Sequence, residues 1–432
     1  MYNKSKYKGG RVRMSIGRII YYHRKKQNKT QEQLCQGICS TTHLSKIENS
    51  SKEGNLETLE MLCKRLGISI EEETKKTQFL KRQLAQFYEA IERLHRDHAE
   101  RLYQELGKHK DFLQCTEMVY LYELYMLRYL LFTDNISEFE YVSFELKKNM
   151  TKFSTFERFL WEFFQGIYYG RKQQYVKAIG ILDSIEDKAD LFSEKVTDYY
   201  YYKAANHGLL KHFTLSLHYS HKALRIFQNT GNILRILHVK IGLSANLIYI
   251  NDLERAEIML ETALNDAEML KDNDTKISAL HNLGLLHNRK GRLQESLEFF
   301  TQSLNLKKKH TIGYYSSFVE VIQVLLDLEE NDRAANLLQD ILKDFRDQQS
   351  SKYVELMALY LEATKDYKRL TDYLIDYGLP MMIKDNLYKA VSYSERLAEF
   401  FNEKGDLASS NKYFQLSNEL LRKLIFNHGH PN

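Results

Sequence analysis

SALHNLGLLHNRKGRLQESLEFFTQSL, residues Ser278–Leu304, reads as two helices joined by a glycine turn. Leu283 and Gly284 belong to the first helix, and Gly291 marks the turn. Leu293, Ser296, Phe300 and Ser303 then recur three and four apart, the spacing of one helical face. Small residues at Gly284, Ser296 and Ser303 let paired helices approach closely, and Phe300 fills the space between layers. Forty residues earlier the same positions hold Ala256 and Ala263, in NDLERAEIMLETAL. Forty earlier again they hold Ser216 and Ala223, in FTLSLHYSHKAL. Three copies at one period predict stacked helical hairpins, each burying its apolar face against the next.

Weaker copies extend the series in both directions. QQYVKAIGILDSI places Ala178, Leu182 and Ile185 in the same roles, and NDRAANLLQDIL places Ala334, Leu338 and Ile341. Near the end, EKGDLASSNKYFQLS supplies Gly405, Leu407, Ser410, Phe414 and Ser417. Between Lys75 and Thr155 the periodicity is helical but the repeat is degraded. The pattern resembles the tetratricopeptide repeat, which implies a right-handed superhelix whose concave face takes extended peptides or other helices. About eight hairpins are expected. Pro380, in DYGLPMM, is expected in a loop between hairpins.

Composition agrees with an all-α chain. Only two prolines interrupt 432 residues, and 28% of the residues are charged. No apolar run is long enough to span a bilayer, and the N-terminus lacks the apolar core of a signal peptide. The four cysteines (Cys35, Cys39, Cys63 and Cys115) have neither paired CxxC spacing nor a histidine-rich neighbourhood, so three of the four read as buried small apolar residues of the basic head, in a reducing cytoplasm. No metal or other cofactor is implied. No catalytic triad, phosphate loop or paired carboxylate site stands out, and the chain does not read as an enzyme.

The charge is unevenly spread. Met1 to Lys29 holds ten Lys and Arg and no acidic residue. Residues 1–70 carry a net +9 against +5 for the whole chain, leaving −4 for the remainder. A polyanion at one end of the molecule suits that asymmetry. Within this head, TQEQLCQGICSTTHLSKIE (Thr30–Glu48) fits two short helices: Leu34 and Ile38 face inward from the first, Leu44 and Ile47 from the second. The second keeps Ser40, Thr41, Thr42, His43 and Lys46 for an outward polar face, the chemistry that reads base edges and phosphates. The stretch from Met14 to Ile70 resembles the XRE-type, lambda-repressor-like helix-turn-helix domain. Thr41, Thr42, His43 and Lys46 are then expected at base edges, with Ser40 as helix cap or phosphate ligand. The resemblance puts Gln31 at a phosphate. Arg18, Arg24, Lys25 and Lys26 are expected to supply the salt-sensitive phosphate term, and Glu48 an internal contact. MYNKSKYKGGRVR precedes a second methionine, and translation is expected to begin at Met14.

A helix-turn-helix head followed by a long tetratricopeptide array resembles the peptide-responsive receptors of Gram-positive quorum sensing. These include the PlcR-like, PrgX-like and NprR-like regulators and the Rap phosphatases; the length favours the NprR-like group. The organisation so implied is a five-helix head at residues 14–72, a helical linker at 73–110 and a repeat domain for peptide binding and dimerisation at 111–428. The resemblance implies a cytoplasmic homodimer that binds a double-stranded operator under control of a short signalling peptide held in the groove. Asn206, Asn246, Asn282 and Asn288 lie on first helices of neighbouring repeats, and a carboxamide can pair with the N–H and C=O of an extended peptide. The alternative for each is a local backbone contact. Lys203, His238, Lys240 and His281 lie close by in sequence and favour an acidic group on the peptide. A response regulator is the runner-up partner, through the Rap likeness, with Gln78, Gln83 and Gln86 as the glutamines to consider.

Overall fold

The computed structural model describes residues 10–426 apart from 50, 52–53, 310 and 346–349. The basic tail before Gly10 lies outside the described residues, and with it most of the segment that bears on a Met14 start. Among the described residues the regular structure is helical, and no helix is long and apolar enough to cross a membrane. The chain forms two compact units: residues 1–203 with 229–235, and residues 204–228 with 236–432.

The first unit begins with the head: α1 (Gly10–Lys26), α2 (Gln31–Cys35), α3 (Thr41–Glu48) and α4 (Leu56–Leu66). Each of α2, α3 and α4 starts at a side-chain cap, with Thr30, Ser40 and Asn55 accepting from the third residue inside the helix. Gly67 ends α4 in the left-handed conformation that glycine adopts without a Cβ penalty. Ile16, Ile19 and Ile20 of α1, Leu34, Leu44, Ile47, Leu59 and Leu62 are buried together. The fifth helix of the expected head is the start of α5 (Ile70–Glu92), which runs on into the rest of the unit.

Beyond α5 come α6 (Arg96–Gly107), α7 (Lys110–Gln114), α8 (Val119–Phe132) and α9 (Ile136–Lys147). They are followed by α10 (Thr155–Arg171), α11 (Tyr175–Asp183) and α12 (Glu186–Leu191). Here hairpins persist although the small-residue code fades, because aromatic rings fill the interior: Phe87, Phe112, Phe139, Phe159, Phe163 and Phe164 are almost wholly buried. Tyr22 of α1 meets Phe112 of α7 edge to face at 5.5 Å, Lys76 of α5 caps the Phe112 ring at 4.0 Å, and His23 Nε2 lies 3.1 Å from Glu73 Oε1. These contacts seat the head on α5 and α7.

The far end of α5 is held by a buried polar node. Glu92 accepts from Thr197 N at 2.6 Å and Thr197 Oγ1 at 3.1 Å, while its carbonyl accepts from Asn232 and from Arg235 Nε. Asp198 Oδ2 accepts from Arg128 at 2.9 Å and Arg235 at 3.3 Å. Burial, with Asp198 adding to it, pushes the Glu92 carboxyl up to about 8.

The second unit holds the repeats. It takes most of α13 (Tyr199–Leu209) and α14 (Phe213–Asn229), then α15 (Ile233–Tyr249) with α16 (Leu253–Leu270). The series continues with α17 (Asn273–Arg289) and α18 (Leu293–Leu306), then α19 (Ile312–Asp327) and α20 (Asn331–Lys343). Ser216 Oγ donates to Ala204 O at 2.9 Å, and eighty residues on Ser296 Oγ donates to Gly284 O at 2.8 Å. A Cβ on Gly284 would stand 2.6 Å from the Phe300 ring, so the close approach read from the sequence is real. The backbone carries the period even where the letters do not. Lys211, Asn251 and Gly291 all have φ near +60 to +72° at the first turn of their hairpins.

The array closes with α21 (Ser351–Ala363), α22 (Tyr367–Tyr373), a π-helical turn at Leu374–Gly378, α23 (Leu379–Asp385), α24 (Leu387–Glu403) and α25 (Leu407–Phe426). Pro380 therefore does not sit in a loop. It lies in the first turn of α23, where its missing N–H costs nothing, and the wide turn before it absorbs the ring.

Candidate DNA and peptide sites

In the head, the exposed face of α3 is built by a brace beneath it. Arg24 of α1 grips Glu48 at the end of α3 with two hydrogen bonds, Nε to Oε1 at 2.6 Å and Nη2 to Oε2 at 2.8 Å, and gives Nη1 to the Lys29 carbonyl at 2.9 Å. Gln31 Nε2 adds 2.7 Å to Glu48 Oε2. The hydrogen bond to Glu48 raises the Arg24 pKa further, against the opposing effect of burial. Two expectations change. Arg24 is buried and spent on Glu48, so it is framework rather than a phosphate ligand; the pair needs its partner because an isolated buried charge is costly. Gln31 is half-buried and first of all orients Glu48, with one amide hydrogen left for a phosphate. Glu48 makes the internal contact expected of it.

Sequence reading missed Gly17. A Cβ there would fall 2.1 Å from the Ile47 carbonyl oxygen, so α1 and α3 touch backbone to backbone with no room for a methyl. The only signal was a glycine inside a helical pattern, which reads as a weak spot until the neighbour is known. Arg65 completes the frame by donating Nη1 to the Leu34 carbonyl at 3.0 Å and to the Gln36 carbonyl.

What remains outside is polar and free to meet a ligand. Thr41, Thr42 and Lys46 are exposed, His43 is half-buried beside them, and Ser40 Oγ accepts from His43 N at 3.1 Å as the cap. Arg18, Lys25 and Lys26 are exposed on α1. The structure thus brings together all the expected α3 residues on one face, and sets Arg24 apart from them.

The asparagine ladder is less uniform than its expectation. Asn206 and Asn246 occupy the same repeat position, but Leu286 holds the third copy; Asn282 stands four residues before it and Asn288 two after. Asn246 is buried and donates Nδ2 to Ser216 Oγ at 2.8 Å, and Asn282 donates Nδ2 to the Ile241 carbonyl at 3.2 Å. Each spends one amide hydrogen on the neighbouring repeat. What Asn246 and Asn282 keep for a ligand is the carbonyl oxygen, an acceptor for backbone N–H groups, and one remaining amide hydrogen. Asn206 is also buried, and Asn288 is half-buried.

The expected cations are mostly engaged. Lys203, in the first unit, is fully buried and reaches Asp183 Oδ1 and Glu186 Oε2, each at 2.7 Å. It cannot present its charge to a peptide. His281 Nδ1 lies 3.1 Å from Ser317 Oγ, which also receives Lys307; burial lowers the imidazole to about 4, so it is neutral. His238 Nε2 stands 3.9 Å from Asp272 and Lys240 Nζ 3.5 Å from Asp266. Of the glutamines on α5, Gln78 and Gln86 are exposed and Gln83 is half-buried.

Comparison with known proteins follows the same two-part division. Residues 20–72 match the helix-turn-helix family model, and residues 236–309 match the tetratricopeptide repeat model. The transcriptional activator NprA of Geobacillus stearothermophilus is 23% identical over 91% of this chain and all of its own length. The apo form of the quorum sensor NprR from B. thuringiensis superposes with a TM-score of 0.68 at 23% identity, over 80% of this chain and 99% of that one. NprR in complex with its cognate peptide NprX gives 0.65 at 23% identity, over 79% and 98%. At that identity the solved structures speak to the fold.

Proposed function

We propose that this chain, an NprR-like protein with a helix-turn-helix head and a tetratricopeptide array, is a transcriptional regulator whose hold on DNA is set by a short signalling peptide. The observation that carries the reading is the α3 face. Thr41, Thr42 and Lys46 stay uncovered and His43 half so, while Arg24, Gln31 and Glu48 beneath them fix the helix. A recognition helix needs that division between a rigid underside and a polar outer face. Lys25, Lys26 and Arg18 supply the phosphate term in place of Arg24.

The protein acts in the cytoplasm as a homodimer, so that two α3 helices read half-sites about one helical turn apart. The peptide lies along the first helices of the repeats, with its N–H groups directed to the Asn246 and Asn282 oxygens. Binding one arrangement of the array better than another shifts the population, and a coupling of about 1–3 kcal/mol changes DNA affinity roughly 5- to 150-fold.

Selection of the full-length chain against randomised duplex DNA tests the first half. Recovery of a consensus, with Thr42→Ala or His43→Ala relaxing discrimination at single positions and Lys25→Ala weakening all sequences alike, supports it. Failure to enrich any site at low salt overturns it. Titrating the complex with synthetic peptides from reading frames beside the gene tests the second half, and Asn246→Ala should weaken whichever peptide acts.

A further inference from the structure

A cleft of about 430 Å³ opens between α9, α10 and α11, wholly within the first unit, and neither α3 nor any of the asparagines lines it. Its wall is aromatic: Phe139, Phe144, Trp161, Tyr168 and Tyr169. Phe139 stacks on Tyr168 at 4.9 Å, which stiffens one side. Phe144 is 65% exposed on the rim, and Tyr141, one turn earlier on α9, is 70% exposed. Large rings left this open within one turn of each other are costly in water unless something covers them.

The charges of the cleft say what kind of surface fits. Its two carboxylates are already answered: Glu140 accepts from Tyr168 OH at 2.6 Å and pairs with Lys172 at 3.3 Å, and Glu162 faces Lys188 at 3.8 Å. Its two ammonium groups are not. Lys147 is exposed on the rim, and Lys177 sits over the Tyr169 ring at 3.9 Å; neither has a carboxylate partner among the described residues. An aromatic floor edged by two uncommitted lysines complements one chemistry best. We propose that this cleft docks an amphipathic helix of a protein partner, inserting apolar anchors from one face and flanking them with Asp or Glu set against Lys147 and Lys177. Helix-in-groove recognition uses this combination of spaced apolar anchors and charged flanks. Aromatic side chains at the centre supply most of the affinity.

The probe is a fluorescein-labelled, helix-forming peptide of about fifteen residues, with Leu or Phe at i, i+4, i+7 and i+11 and Glu between them. Polarisation with the full-length chain should show saturable binding. Phe144→Ala, or Lys147→Glu with Lys177→Glu, should weaken it about tenfold or more, and a Lys-for-Glu peptide should fail. Asn246→Ala should leave it unchanged, which separates this cleft from the repeat groove. Absence of saturable binding overturns the proposal, as does binding indifferent to the rim variants. Sedimentation settles the rival occupant: a dimer of the wild type lost in Phe144→Ala means a second copy fills the cleft, and the acidic-helix assignment falls. Unchanged helical circular dichroism and DNA binding in each variant show that folding is intact.

Discussion

The head and the array are both helical, yet they are held together in different ways. The head depends on contacts that occur once: Gly17 against Ile47, Arg24 against Glu48, Arg65 against the α2 carbonyls. The array depends on contacts that recur, such as Ser216 to Ala204 and Ser296 to Gly284, so losing one leaves neighbours in place. A small domain with unique joints should therefore fail abruptly, and a repeat stack gradually.

The sharpest break of that contrast is Glu48→Ala. Stranding a buried guanidinium costs about 3–5 kcal/mol, and calorimetry should show the head's transition lost or lowered while the array melts as before. Gly17→Ala comes next: the methyl meets a backbone carbonyl that cannot swing away, so a loss near 3 kcal/mol, the upper end for overpacking, is expected, with DNA binding abolished. Gly284→Ala presses instead on the Phe300 ring, which has some freedom, and should cost about 1–3 kcal/mol without abolishing DNA binding. If Gly284→Ala unfolded the whole chain, the contrast between unique and repeated joints would be wrong.

Smaller effects sharpen the picture. Glu92 binds its proton more tightly folded than unfolded, because burial and Asp198 raise its pKa to about 8. Its contribution is thus fully present below the unfolded carboxylate range and is lost as pH rises through about 8. Denaturant midpoints should fall between these limits, by at most about 1.4 kcal/mol per pH unit, and Glu92→Gln should flatten the decline. The smallest effect is a gain. Lys271 caps α16 at φ +56°, a left-handed position that costs a side chain about 1 kcal/mol, so Lys271→Gly should raise the melting temperature slightly.

How much was legible follows the same division. The forty-residue recurrence of Ser216, Ala256 and Ser296 placed α14, α16 and α18 because one packing solution repeats, and repetition is visible in letters. The α3 face was legible because capping by Ser40 and burial of Leu44 and Ile47 are local. Arg24 and Lys203 were misread as ligand cations, since nothing in a sequence tells a solvated lysine or arginine from one whose partner is 24 or 17 positions away. The internal bond of Asn282 was hidden for the same reason: its partner, the Ile241 carbonyl, belongs to the preceding repeat. Pro380 was misplaced because a π-helical turn leaves no compositional mark.

By itself, then, the sequence determined what repeats and what is local: an all-helical chain, a basic helix-turn-helix head, a tetratricopeptide body and the outward face of the second head helix. Only the tertiary structure decided which charges are spent, where a glycine is obligatory, which amide atoms remain for a peptide and that an aromatic cleft lies open on α9–α11. Periodicity and capping act over a few residues and are written in order along the chain. Ion pairing, close backbone approach and exposure depend on partners brought together from distant positions, which no linear pattern records.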